Sequence, residues 1–143
     1  QSVTNRLYKS HLLAETMNGF LGTYSVNMDE KGRLNVPSKF KAIMERLYDP
    51  NLVVAVMDNF LIAFPQKEWL INEEKLNSLS GLDREDRQKM REFYSQASEC
   101  ELKSGKLLIP QFQREIAGLN KEVVLVGMSK SFEIWAGDRW NKS

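Results

Sequence analysis

Apolar and polar residues alternate on both sides of a glycine in the first third of the chain. The apolar positions are Tyr24, Val26, Met28, Leu34 and Val36. A period of two predicts strands with one buried face, and Gly32 can adopt the positive φ that a tight turn between them needs. We therefore predict a hairpin whose turn brings Asp29 and Arg33 together as an ion pair. A solvated turn decorated with charge fits this single stretch equally well.

The same order of features returns in the second half of the chain. A strand pattern from Cys100, then Gly105, Lys106 and an apolar strand ending at Pro110 correspond to the stretch that ends at Pro37, 73 residues earlier. A short helix and two apolar strands follow each proline, so the sequence predicts two ββαββ repeats. Each repeat has only about 45 residues, which is small for an independent core. We therefore expect the repeats to share strands or to pack face to face as an intrachain pseudo-dimer.

Hydrophobic periodicity and stop signals predict the remaining elements. A helix is expected from about Ser38 to Leu47, and a second one over 111–117 with Gly118 as its C-cap. Two further helices are expected between the repeats, one ending at Gly81 and one with Asp83 as its N-cap. The predicted strands after the first turn cover 52–57, 60–64, 99–102, 106–109, 122–127 and 131–136.

These patterns divide the chain into four parts. Residues 1–16 precede the repeat pattern and are expected to be an N-terminal extension, disordered or an artefact of the start site. The first repeat is expected over 17–65 and the second over 99–143. Residues 66–98 are expected to be a helical connector that packs the two halves together, because a flexible linker would be richer in Gly, Ser and Pro.

Composition excludes several classes of function. The chain has 143 residues, 42% hydrophobic and 27% charged, with a net charge of +1, as in a soluble globular protein. The longest apolar run, Leu52 to Met57, is far shorter than the roughly 20 residues of a membrane helix. Cys100 is the only cysteine and His11 the only histidine, so neither a disulfide nor a metal site is expected. We expect no catalysis, cofactor, small-molecule substrate or membrane association.

Nine stretches, in order, resemble the MraZ family over residues 19–141. They are Gly22-Thr23, Asp29 to Pro37, Glu68-Trp69, Lys75-Leu76, Ala97 to Cys100, Leu107 to Pro110, Ala117 to Leu119, Lys121 to Gly127 and Phe132 to Trp135. The resemblance implies a mixed β/α fold in which two repeats of the AbrB/SpoVT type form a swapped or double-split β-barrel pseudo-dimer. It also implies a cytoplasmic, nucleoid-associated transcriptional regulator that assembles into a ring-shaped homo-oligomer. Its partner would be double-stranded DNA, at promoter direct repeats of the division and cell-wall gene cluster.

The family's Asp-x-x-x-Arg motif maps onto Asp29 and Arg33, which implies that Arg33 contacts DNA. The second repeat departs from the motif: it lacks both residues, is one residue shorter before its turn glycine and has Lys106 in the arginine position. Lysine keeps the charge but lacks the planar fork that binds a guanine bidentately. Leu21 stands where some relatives have an arginine, which removes one possible contact.

Six residues are therefore candidates for DNA binding. They are Arg33, Lys31, Asp29, Lys39, Lys41 and Lys106. A two-stranded β-ribbon fits the major groove, so Arg33 is expected at base edges, the lysines at phosphates, and Asp29 as the group that orients Arg33.

Two other classes of protein are weighed against DNA binding. One is an oligomeric assembly module with incidental nucleic-acid binding, driven by aromatic residues that a plain core would also explain. These are Phe60, Phe64, Trp69, Trp135 and Trp140. The other is an AbrB-type antitoxin, which usually has one motif and a disordered toxin-binding tail, whereas this chain has two motifs.

Overall fold

A computed structural model describes residues 19–77 and 83–143 of the chain. The predicted extension over 1–16 and the predicted helix end at Gly81 lie outside these ranges. The strands are β1 Thr23–Asn27, β2 Arg33–Asn35, β3 Asn51–Met57, β4 Phe60–Pro65, β5 Ser98–Lys103, β6 Lys106–Leu108, β7 Glu122–Gly127 and β8 Phe132–Ala136. The helices of the described ranges are α1 Ser38–Leu47, α2 Gln66–Asn77, α3 Arg84–Ser95, α4 Gln111–Ala117 and α5 Gly137–Lys142.

The eight strands form one antiparallel sheet in the order β1-β7-β8-β4-β3-β5-β6-β2. An isolated bridge between Met28 and Leu34 joins its two ends, so the sheet curls into a nearly closed barrel. Closing a sheet in this way removes most of the exposed strand edge. The mixed β/α fold with a double-motif barrel that the sequence predicts is confirmed.

The two repeats exchange strands across the barrel. β1 of the first repeat pairs with β7 of the second, and β5 of the second repeat pairs with β3 of the first. At the centre of the β2–β6 pair, Leu34 faces Leu107, its own counterpart in the other repeat. This arrangement is the intrachain pseudo-dimer that the small size of each repeat predicts.

The first turn differs from a simple hairpin in one respect. The chain does turn back after Met28, but only the Met28–Leu34 bridge joins the two arms. Their ladders are made with β7 and β6 of the second repeat instead. The reason is that the alternation of apolar and polar residues specifies which face of a strand is buried but not which strand it pairs with.

The core of the barrel contains alternate residues of every strand together with the apolar face of α1. Phe20, Phe40 and Phe132 are fully buried and form a triangle of ring contacts with centroids 5.1–5.2 Å apart. Phe40, Ile43 and Met44 lie on the face of α1 that the period of 3.6 predicts. Cys100 is buried in the same core, where desolvation raises its thiol pKa.

The connector helices α2 and α3 cover the outer face of the first repeat. Trp69 of α2 packs on Val53 and Phe64 and stacks on Phe93 of α3, with ring centroids 5.2 Å apart. This cover explains why β3 is buried on both faces, as its continuous apolar run predicts. The exchanged strands, rather than the connector, provide the main contact between the repeats.

A buried glutamine ties α4 to strands of both repeats. The Gln113 side chain donates hydrogen bonds to the carbonyl oxygens of Val54 and Gln96 and accepts one from the Ser98 hydroxyl, at 2.8–2.9 Å. All its polar atoms are therefore satisfied although the residue is fully buried. This network fixes α4 against the barrel and so fixes the position of the residues that α4 carries.

Candidate nucleic-acid interface

The first turn is a three-residue loop closed by its own backbone. The Gly32 amide donates to the Asp29 carbonyl at 3.0 Å, the Asp29 amide donates to the Arg33 carbonyl at 2.9 Å, and Gly32 has φ +89°. A type I turn followed by a left-handed residue is a usual form of a three-residue hairpin loop. The loop therefore requires Gly32 and places Asp29 and Arg33 side by side at its base.

The carboxylate of Asp29 accepts three hydrogen bonds within this turn. Its Oδ1 accepts from the amides of Lys31 at 3.0 Å and Arg33 at 2.9 Å, and its Oδ2 accepts from Nε of Arg33 at 2.8 Å. The bond from the Arg33 amide is the main cause that lowers the pKa of Asp29 below its ordinary value of 3.8. Desolvation comes next and opposes it, and the Arg33 side chain and the Lys31 amide lower the pKa further. Asp29 is therefore ionised at neutral pH and holds Arg33 in place.

The Arg33 side chain is only partly covered by the rest of the protein. It is 45% exposed on the outward face of β2, while Leu34 beside it points into the core. Nε is engaged by Asp29, and no residue of the described ranges accepts a bond from either terminal nitrogen. A guanidinium oriented in this way offers the two parallel donors that bind a phosphate, or O6 and N7 of guanine.

The second turn is built differently although it occupies the equivalent place. Lys103 pairs with Lys106, and Ser104 and Gly105 between them have φ of 51° and 74°. Two successive positive φ values are typical of a two-residue type I′ turn. The residue missing from this repeat leaves no position for a carboxylate like that of Asp29, so nothing in the turn orients Lys106.

Each turn is covered by a cation from the helix of the other repeat. Arg114 of α4 lies over Gly32, with its Cζ 2.7 Å from where a Cβ on that glycine would lie, and its Nε donates to the Ile109 carbonyl at 3.0 Å. Lys41 of α1 lies over Gly105 in the same way, with its Nζ 3.0 Å from the corresponding point. The exchange of strands therefore makes each turn a product of both repeats.

The grooves beside the two turns differ in charge. The first groove is lined by Met28, Asp29, Glu30, Arg114, Leu119, Asn120 and Lys121. Since Asp29 is already neutralised by Arg33, the cations Arg114 and Lys121 there outnumber Glu30. The second groove contains Lys41 with the carboxylates Glu45 and Asp49. Only the first groove favours a polyanion.

The structure brings some of the predicted residues together and separates others. Lys31 is exposed within the first turn, and Lys106 is half-buried on β6, opposite Asn35 of β2. Lys39 is exposed near the start of α1. Lys41 belongs to the second turn through its contact with Gly105. Asp29, Lys31 and Arg33 thus form one cluster, Lys106 lies on the strand beside β2, and Lys41 lies apart from the first turn.

Sequence reasoning missed Arg114 and Lys121 at the first turn. Lys121 is exposed, and its carbonyl accepts a hydrogen bond from the Met28 amide at 2.8 Å. The repeat itself contained a signal for Arg114, which follows Pro110 at the same spacing as Lys41 follows Pro37. Strand exchange, which the spacing does not show, is what moves each cation to the turn of the other repeat.

No group of three or more potential metal-ligating side chains occurs within residues 19–77 and 83–143. Over the same part of the chain, none of the helices is long and apolar enough to cross a membrane.

The fold and the site define a double-repeat protein of the AbrB/SpoVT type, in which one repeat contains an Asp-x-x-x-Arg turn and the other does not. A family model described as MraZ protein, antitoxin-like, matches residues 20–92 and again residues 93–143. The chain belongs to the MraZ family.

Curated relatives agree with this assignment. A protein of Carboxydothermus hydrogenoformans is 42% identical over 123 residues, which cover 85% of this chain and 84% of that protein. One from Ligilactobacillus salivarius is 45% identical over 122 residues, 85% of this chain and 83% of that protein. One from Desulforamulus reducens is 43% identical over 124 residues, 86% and 85% of the two chains. Each of the three is named Transcriptional regulator MraZ.

Proposed function

We propose that this chain is a sequence-specific DNA-binding transcriptional regulator that acts without enzymatic activity. Family membership and the names of the relatives support regulation of transcription. The observation that carries the proposal is the geometry of Arg33, whose Nε is held by Asp29 while its side chain is 45% exposed and its terminal nitrogens have no partner in the described ranges. A pre-oriented guanidinium loses little side-chain entropy on binding, which suits it to discriminate between bases.

The remaining candidate residues have distinct parts in this proposal. Arg33 contacts base edges in the major groove, and Lys31 within the same turn contacts a phosphate. Lys106 adds positive charge from the strand beside β2, Lys39 does so from the start of α1, and Lys41 does so from the second turn. Phosphate contacts provide affinity and register, whereas Arg33 provides the preference for one sequence.

The proposal extends to the target and the assembly. The resemblance to the family supports promoter direct repeats upstream of the division and cell-wall gene cluster as the target, bound by a ring-shaped homo-oligomer. In such a ring the small cationic surplus of one subunit is repeated, so several first turns contact successive repeats of the DNA. Exposed apolar side chains, including Leu108 at 54% and Phe112 at 42%, support self-association.

The test is a fluorescence anisotropy titration of the full chain with the DNA upstream of its own gene and with a shuffled duplex. Three salt concentrations give the slope of log affinity against log salt, about 0.9 for each phosphate neutralised. We expect selective binding by the wild type, loss of selectivity in Arg33→Ala and a much smaller effect in Lys106→Ala. Equal binding of the two duplexes, or binding of neither by an intact oligomer, would contradict the proposal.

The alternative is an assembly module that touches nucleic acid only incidentally. The exposed apolar residues on β6 and α4 are the observation that favours it. Size-exclusion chromatography of Arg33→Ala separates the two functions. If DNA binding is the function, Arg33→Ala keeps its oligomer and loses selectivity between the two duplexes. If the protein is an assembly module, the wild type itself shows no such selectivity.

A further inference from the structure

We propose that the second repeat supplies a phosphate-binding pair, Arg114 and Lys121, to the DNA-binding turn of the first repeat. This inference rests on the proposed function and adds two residues to it. The residues of the first turn belong to one repeat, whereas strand exchange places residues of the other repeat around it.

Arg114 is oriented in the same manner as Arg33. Its Nε donates to the Ile109 carbonyl at 3.0 Å, and no residue of the described ranges accepts a bond from its terminal nitrogens. Its guanidinium lies directly against Gly32, the residue before Arg33. Two guanidinium groups, each fixed through Nε and open at its outer end, therefore lie on the same turn.

Lys121 lies along the same groove and is anchored through its backbone. Its carbonyl accepts from the Met28 amide at 2.8 Å, next to Asp29, and its side chain is exposed. Arg114 and Lys121 line the groove together with Glu30, the one carboxylate there that lacks a partner in the described ranges. A phosphodiester in this groove meets two cations within reach of the turn that carries Arg33.

The second turn provides an internal comparison for this inference. Its groove contains Lys41 in the place of Arg114, but Pro50 accepts the backbone bond that Lys121 accepts in the first groove, and Glu45 and Asp49 lie beside it. The cationic pair is therefore present only where the Asp29–Arg33 turn is present. Since both grooves contain a helix cation, the difference between them lies in Lys121 of the first groove and in the two carboxylates of the second.

The experiment measures binding of the upstream duplex and of the shuffled duplex at three salt concentrations for Arg114→Gln, Lys121→Gln and Lys130→Gln. Lys130 is an exposed lysine beyond the far end of β7, about 20 Å along that strand from Lys121. We expect Arg114→Gln and Lys121→Gln each to weaken binding of both duplexes by the same factor, roughly three- to tenfold for each first turn in contact with the DNA, and to lower the salt slope by about 0.9 for each such turn. Lys130→Gln is expected to change neither quantity.

The outcomes separate failure of this inference from failure of the proposed function. If the wild type selects the upstream duplex while both variants keep its affinity and slope, the inference is wrong and the function stands. If the wild type shows no selectivity, the proposed function fails. If neither duplex binds, both fail.

Arg114→Lys distinguishes phosphate binding from support of the turn. A phosphate contact tolerates lysine, so this variant should keep the salt slope of the wild type. Support of the turn through the Nε bond does not tolerate it, and Arg114→Lys would then lose selectivity with an unchanged slope, which would overturn the inference for Arg114. Lys121→Gln remains a separate test, because the Lys121 side chain makes no hydrogen bond or ion pair within the described ranges.

Discussion

The two turns of the barrel occupy equivalent positions, and their loops differ in length by one residue. In the first, the extra residue gives a three-residue loop in which Asp29 holds Arg33. In the second, the two-residue turn at Ser104 and Gly105 has no carboxylate in the place of Asp29, and Lys106 stands in the place of Arg33. Equivalent backbone hydrogen bonds hold both turns to the barrel, since the Val36 amide donates to the Gly105 carbonyl and the Ile109 amide donates to the Gly32 carbonyl. The backbone bonds that close the barrel are therefore independent of the ion pair, and the ion pair is where the two turns differ in structure.

The glycines of the two turns give the largest expected difference. Alanine at either site must adopt a left-handed conformation, which costs about 1–2 kcal/mol. At Gly32 the new Cβ also collides with Nε and Cζ of Arg114, and moving that side chain breaks its bond to Ile109, for about 1 kcal/mol more. At Gly105 it meets only the mobile end of Lys41. Urea unfolding should show that Gly32→Ala destabilises more than Gly105→Ala; equal losses would refute the stated role of Arg114.

We expect Asp29→Asn to remove the bond that orients Arg33, and with it the difference between the two turns, while the barrel changes little. The amide side chain can still accept from a backbone N–H, but its NH₂ group cannot accept from Nε of Arg33. Arg33 is then free to rotate, and we expect roughly a tenfold loss of selectivity between upstream and shuffled DNA. The salt slope should fall by less than it does in Arg33→Ala, because Arg33 keeps its charge. Unchanged selectivity in anisotropy titrations would show that Asp29 does not orient Arg33.

The smallest effect is the titration of Asp29 itself. Its pKa is lowered in the folded chain, so its contribution to stability is present above the ordinary value of 3.8 and is lost as the pH falls through the lower folded value. The carboxyl carbon of Asp29, followed by NMR, should therefore titrate with a midpoint below 3.8. From this group we expect no change in DNA binding between pH 5 and pH 8. A midpoint at or above 3.8 would mean that the turn is open in solution.

Local elements could be predicted from the sequence because local chemistry determines them. The period of 3.6 predicts α1 over Ser38–Leu47, and the structure gives the same bounds. Asp83 caps α3 by accepting from the Glu85 amide, and Gly118 ends α4 with φ 65°. Each of these depends on a few neighbouring residues, so a short window of sequence contains the necessary information.

The pairing of strands and the composition of the site could not be predicted in the same way. The alternation of apolar and polar residues in β1 predicts that Tyr24 and Val26 face the core. It does not predict that β1 pairs with β7, because that pairing depends on the packing of the whole barrel. Arg114 has the same spacing from Pro110 as Lys41 has from Pro37, but its contact with Gly32 requires the exchange of strands, which the spacing does not show. The ion pair of Asp29 and Arg33 was predictable because both residues belong to one turn.

The exchanged strands also affect how the chain folds. Tyr24 pairs with Leu125 and Leu34 pairs with Leu107, so forming the ladders of β1 and β2 closes loops of many tens of residues. Contacts this distant in sequence slow folding, because the loop entropy is lost before the contact is gained. At a synthesis rate of roughly 5–20 residues per second, β1 waits several seconds on the ribosome for its partner. During that time β1 lacks the strand that it pairs with in the folded barrel.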